Sequence, residues 1–187
     1  MPRIRPLEYD EVSGAVRAEY DRQIGAHGRM TNMKRTLAHS GVALRALMEW
    51  YALREEALPF LGERLCDLYS HAISADTDCL ICSTYFRRTL IERGDSPDTP
   101  RLDEREQAVI DFGRRLVADR NRVPDELYAR LSRHFTPAQI VTLTAFGALM
   151  IATNVFNNAL DVDLDDYLKP YTRQAGNEPR SAAEEPR

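Results

Sequence analysis

Apolar residues recur at three- and four-residue spacing along most of the chain, and no stretch alternates with the period of two that a strand would show. Val12, Val16 and Tyr20 predict a first helix from about Asp10 to Ala26. The polar connector HGRMTNMKR leads to a short helix over Lys34–His39, broken by Ser40 and Gly41. In ALRALMEWYALREEAL, Leu44, Leu47, Met48 and Tyr51 share one helical face, and Pro59 is expected to end it. Leu61, Leu65, Leu68 and Ala72 form the stripe of a helix over 61–75. Asp78 stands as N-cap of a helix from Cys79 to about Arg93, which Gly94 closes. Asp103 with Glu106 makes a capping box for a helix reaching Asp119, and a shorter helix spans Pro124–His134. Thr136 with Gln139 makes a second box, and Pro137 suits the first turn of a helix over Ala138–Leu160. That last helix is the most apolar and is expected at the centre. The pattern predicts an all-α helical bundle, one domain over residues 1–171. Residues 172–187 carry no apolar side chains beyond alanine and are expected to be disordered.

Composition narrows the partners. The chain of 187 residues is long enough to bury a core without staples. Its net charge of −4 gives no basic face for nucleic acid and no attraction to an anionic membrane. The first residues lack the apolar core of a signal peptide. The longest apolar run, Ile140 to Ala152, falls short of the roughly 20 residues that a membrane span needs. A cytoplasmic protein is the expectation. There, three cysteines argue against structural disulfides and in favour of reactive or metal-binding uses.

Two of the three sit close together, in DTDCLICSTYFRRTLIERG. With Asp78 as cap, Cys79 and Cys82 fall one turn apart in the first turn, on one face and close enough to close a disulfide. Free backbone N–H groups and the positive end of the helix dipole favour a thiolate there. One thiolate can attack a peroxide or disulfide while the other resolves the product. Two readings compete. Buried cysteines are common core residues, and a closed zinc site needs two more ligands. Cys66 and His71, the nearby candidates, lie five apart on different helix faces, so no metal and no organic cofactor is expected.

A working dithiol also needs a group that moves protons. Asp67 and His71 share a face of the preceding helix. If the two helices form an antiparallel hairpin turning near Thr77, His71 lies about 9 Å and Cys82 about 7 Å from the turn, at ~1.5 Å per residue. Their depths match. The competing reading makes Arg64, Asp67, His71 and Ser74 one solvated face. Trp50, Tyr51 and Phe60 read as core or subunit contacts. Asn154, Asn157 and Asn158 read as caps or cross-interface groups, with an active-site role the lesser alternative. His27, His39 and His134 fall near helix ends, where a C-terminal cation is favourable.

A carboxylate twelve residues before the CxxC, then LDEREQAVIDFGRRL, then FTPAQIVTLTAFGALMIATNVFNNALDVDL, resembles the alkylhydroperoxidase D-like branch of the carboxymuconolactone decarboxylase superfamily. The likeness covers 35–168, and the opening IRPLEYDEVSGAVRAEYD also resembles members of that group. It implies an all-helical homo-oligomer that reduces hydroperoxides through its CxxC, with electrons from a lipoyl or thioredoxin-like thiol protein. Carried over by position, Cys82 attacks the peroxide and Cys79 resolves. Asp67 stands where the family's relay has a glutamate. Phe86 stands where the relay has a histidine, and Ile81 where a histidine lies between the cysteines. The resemblance therefore leaves the dithiol intact and the relay damaged. Either His71, oriented by Asp67, replaces the lost histidine, or the chain is an impaired member serving as a helical scaffold or small-ligand binder. Lactone decarboxylation is the weaker reading, since that branch lacks a CxxC.

Overall fold

A computed structural model describes residues 1–118 and 122–173. The expected tail therefore lies almost wholly outside the described residues, as does the end of the helix expected to reach Asp119. Among the described residues there are nine α-helices and no strand: α1 (Gly14–His27), α2 (Asn32–Leu37), α3 (Gly41–Met48), α4 (Trp50–Leu61), α5 (Glu63–Asp76), α6 (Leu80–Glu92), α7 (Glu104–Val117), α8 (Asp125–Ser132) and α9 (Pro137–Ala159). Short 3-10 turns cover Tyr9–Glu11 and Asp166–Tyr171. The all-α expectation holds.

Both capping boxes form as their sequences imply. The side chains of Asp103 and Thr136 accept from the backbone N–H of Glu106 and Gln139, whose side chains reach back. Pro59 does not end its helix. It lies within α4, and Gly62, at φ 78°, makes the break. The single helix expected before it is divided at Glu49 into α3 and α4.

The central element is α5 rather than α9. It packs against α4, α6, α7 and α9, and every residue from Leu65 to Ser74 is buried. The polar positions Asp67, Ser70, His71 and Ser74 are thus interior, which overturns the reading of them as a solvated face. Only Arg64 reaches outward, to Asp95 (2.8 Å) and Glu106 (2.5 Å). At the middle of α5, Tyr69 is enclosed between Gly113 on α7 and Gly147 on α9. Its hydroxyl donates to the Leu143 carbonyl at 2.9 Å. A Cβ at Gly113 would meet the Tyr69 ring at 2.7 Å, and one at Gly147 would meet its hydroxyl. The two glycines let three helices approach around one aromatic ring.

By length and composition α9 could cross a membrane. Its Thr142, Asn154 and Asn157 are nevertheless buried against neighbouring helices, and Thr142 donates to Glu56 of α4 at 2.8 Å.

Candidate active site

The turn between α5 and α6 builds the site. Asp78 adopts φ 52°, a left-handed conformation that aspartate tolerates better than most side chains. Asp78 N–H donates to the Ala75 carbonyl at 3.1 Å and Cys79 N–H to the Ser74 carbonyl at 3.0 Å. This pair of bonds is the Schellman ending of α5. It corrects the sequence reading: Asp78 ends α5, and Cys79 itself is the N-cap of α6. Cys79 therefore sits where an oxygen would ordinarily receive the first free N–H groups of the helix.

Three asparagines at the end of α9 hold that turn. The Asn154 amide donates to Thr77 Oγ1 at 2.8 Å and to Ser74 Oγ at 3.3 Å. The Asn158 amide donates to the Thr77 carbonyl at 2.8 Å. Between them, Asn157 Nδ2 donates to both sulfurs, at 3.3 Å to Cys82 Sγ and 3.7 Å to Cys79 Sγ. The spacing of 154, 157 and 158 puts all three on one face. Asn157 Oδ1 is buried without a hydrogen-bond partner among the described residues. By sequence these amides read first as caps or cross-interface groups. An unbroken apolar helix ending in three polar side chains on one face was the available signal.

Both cysteines are free thiols and both are buried. Their acidities separate. A hydrogen bond from Cys82 lowers the Cys79 thiol to about 7 against the cost of burial, and the backbone N–H groups of Cys82 and Ile81 and the Asn157 amide act in the same sense. Cys82 is pushed well up, by the same hydrogen bond and by burial. One negative charge thus belongs on Cys79 while Cys82 holds the proton. Access runs the other way. Cys79 is fully enclosed, whereas Cys82 lines a cavity of about 50 Å³ walled by Trp50, Tyr51, Ile81, Tyr85 and Phe86. That is room for a few water-sized groups.

The other two expected site residues lie elsewhere. Asp67, 2% exposed, is held by Arg54 at 3.3 Å and Arg93 at 3.5 Å and faces a different cleft. Burial raises its pKa against those two cations. His71 opens onto a cleft lined by Asp78, Leu80, Ser83, Thr84 and Arg87, away from the Cys82 cavity. Burial lowers it to about 4, helped by Arg173 and Arg87, so it is neutral at pH 7. Matching depth along the hairpin did not fix rotation about α5. The structure brings Cys79 and Cys82 together, adds Asn157, and sets Asp67 and His71 on other faces. Phe86 packs edge-on to Trp50 at 6.3 Å and contributes wall, not protons. Cys66 is buried too, and burial raises its thiol to about 12. His27 stacks on Tyr51 at 3.6 Å. Burial lowers it to about 4, so it is not the helix-end cation expected there. Among the described residues no group of three or more His, Cys, Asp or Glu side chains gathers that could hold a metal ion.

Solved structures show the same all-α fold. The apo debrominase Bmp8 superposes with TM-score 0.71 at 14% identity, over 90% of this chain and 95% of that one. Its cysteine-to-alanine variant in complex with 2,3,4-tribromopyrrole superposes at 0.72 and 14%, over 90% and 94%. The alkylhydroperoxidase AhpD core of a peroxidase-related protein from Ralstonia eutropha JMP134 superposes at 0.71 and 18%, over 89% and 94%. No family model matches the chain, and no curated protein does.

Proposed function

We propose that the protein is a member of the alkylhydroperoxidase D-like branch of the carboxymuconolactone decarboxylase superfamily and a thiol-dependent reductase of small hydroperoxides. The observation that carries this reading is a pair of buried thiols one helical turn apart with Asn157 Nδ2 donating to both sulfurs, an arrangement that favours the negative charge on Cys79. The AhpD-like fold supports it.

The reaction divides the two roles. Cys82, the cysteine facing the cavity, passes its proton to the Cys79 thiolate and attacks the distal peroxide oxygen. The O–O bond breaks, the alkoxide takes the proton that Cys79 received and leaves as alcohol, Cys79 is again a thiolate, and Cys82 becomes a sulfenic acid. Cys79 then attacks the Cys82 sulfur, water leaves, and a disulfide closes. Two electrons have gone to the peroxide, and an external dithiol returns them. Cys79 is thus both the base and the resolving thiol. Asp67 and His71 have no step to perform, which answers the damaged relay.

Peroxide consumption with a small dithiol reductant tests this across pH. The rate is expected to rise through a midpoint near 7, where the pair loses its first proton. His71→Ala is expected to keep wild-type turnover and the same midpoint. A midpoint near that of an ordinary thiol, at about 8.5, or loss of turnover in His71→Ala, contradicts the assignment.

The aromatic cavity walls favour a second reading, reductive removal of halogen from an aryl halide. The thiols supply two electrons, hydrogen replaces halogen, and halide leaves as the disulfide forms. The same assay, with halide release in place of peroxide loss, separates the two.

A further inference from the structure

Lys34 of α2 lines the Cys82 cavity and is only 2% exposed. Among the described residues its ammonium has no carboxylate partner. Its Nζ lies 4.9 Å from the centre of the Tyr51 ring. Burial lowers it to about 8, which leaves it mostly protonated at pH 7. An unpaired buried ammonium weakens a fold unless something else compensates it.

Lys34 also lines an adjoining cleft of about 170 Å³, and Tyr51, Tyr85 and Tyr167 are shared by the two. Arg29 and Arg88 stand in that second cleft, over the Tyr167 ring at 4.3 and 5.2 Å. Arg88 pairs with Glu92 at 3.2 Å. Arg29 has no ion pair among the described residues. Asp165 is the carboxylate in the walls. Its Oδ1 accepts from Asn32 N–H at 2.9 Å, its Oδ2 has no partner, and it makes no ion pair with Lys34. Two cations without an ion pair, Lys34 and Arg29, therefore stand beside one carboxylate, around aromatic walls that lead to Cys82.

We propose that the two clefts form one binding site for a small aryl carboxylate, whose acid group sits between Lys34 and Arg29 and whose ring packs against Trp50 and Tyr85 beside Cys82. The aromatic side chains supply a stacking surface, and a desolvated ammonium is strongly selective for an anion over a neutral isostere. The Cys82 cavity alone is too small for a ring, so the ligand reaches from the 170 Å³ cleft to the mouth of that cavity and carries one ring at most. The proposal rests on the dithiol reading only in placing the substrate's reducible group at Cys82. Anion binding itself requires no electron transfer.

Trp50 is the only tryptophan in the chain and lines the cavity, so its fluorescence reports occupancy. The full-length reduced protein is titrated with 4-nitrobenzoate and with neutral 4-nitrobenzamide. Saturable quenching by nitrobenzoate is expected, with affinity about tenfold or more above that of the amide. Lys34→Met should erase the preference without lowering the melting temperature, since it replaces an unpaired buried charge by an apolar chain of similar length. Should Lys34→Met unfold, the exposed Arg29→Gln carries the test and should weaken nitrobenzoate binding about threefold while leaving the amide unchanged. Equal affinity for both compounds, no saturable quenching by either, or a preference that survives the substitution overturns the proposal. The same titration on Cys82→Ser keeps the two readings apart: nitrobenzoate binding retained there establishes the anion site whatever the peroxide assay shows.

Discussion

Cys82→Ser is expected to abolish peroxide consumption, while Cys79→Ser should slow the first oxidation and then stall. The two losses differ in kind. Without Cys82 no thiol lines the cavity, and Cys79 is enclosed. Without Cys79, Cys82 remains accessible but loses its base and stands in a buried site that disfavours a thiolate. Removing Cys79 also removes the neighbour that raises Cys82 most, but burial still disfavours the Cys82 thiolate and no base takes its proton, so the first turnover at pH 7 should fall about a hundredfold, the scale of a lost general base. It should then stop at a Cys82 sulfenic acid with no partner, detectable by a dimedone adduct. Rapid-mixing kinetics at pH 7 and pH 9.5 read both effects, because the higher pH should restore much of the Cys79→Ser rate. If instead Cys79→Ser is dead at both values and Cys82→Ser retains a first oxidation, the roles of the two sulfurs are reversed.

The second large effect belongs to Asn157. Its amide is the side-chain donor shared by the two sulfurs, and donors to a thiolate hold its pKa down. Asn157→Leu keeps the volume and removes that donor. The pair should then titrate about one unit higher, which makes alkylation by iodoacetamide about tenfold slower at pH 6 and nearly unchanged at pH 9. Asn154→Leu is the matched control. It breaks the contacts to Ser74 and Thr77 that hold the turn, so it should lower stability by about 1–3 kcal/mol with the midpoint unmoved. A melting-temperature change in Asn157→Leu without a shift in the alkylation midpoint would mark Asn157 as merely structural.

Much of this architecture was legible in the chain. Helical periodicity gave the bundle, and both capping boxes formed where Asp103 and Thr136 stood, because a cap is a local device and needs no tertiary information. The CxxC gave the chemistry. The failures came from the third dimension. Aspartate at position 78 suits an N-cap, but it suits a left-handed helix end too, and the Schellman bonds at Ala75 and Ser74 decide between them. His71 and Cys82 matched in depth, yet rotation about α5 turns His71 into another cleft. The family resemblance places Asp67 in a relay, whereas Arg54 and Arg93, from two other parts of the fold, hold it in an ion-pair cluster. Asn157 lies seventy-five residues from Cys82, and Lys34 lies in an ordinary polar helix. Nothing local marks either as a neighbour of the dithiol, since α9 and α2 are brought there only by packing.

The central claim is that Cys79 and Cys82 form a reversible two-electron couple. Intact-protein and peptide mass measurement, before and after brief exposure to dilute hydrogen peroxide, tests it most directly. The account predicts a loss of about 2 Da confined to the peptide holding both cysteines, fully restored by a dithiol reductant, with Cys66 unmodified. Thiols that stay free at Cys79 and Cys82 under those conditions, or oxidation that no reductant reverses, would contradict it and favour a helical scaffold whose cysteines only fill the core.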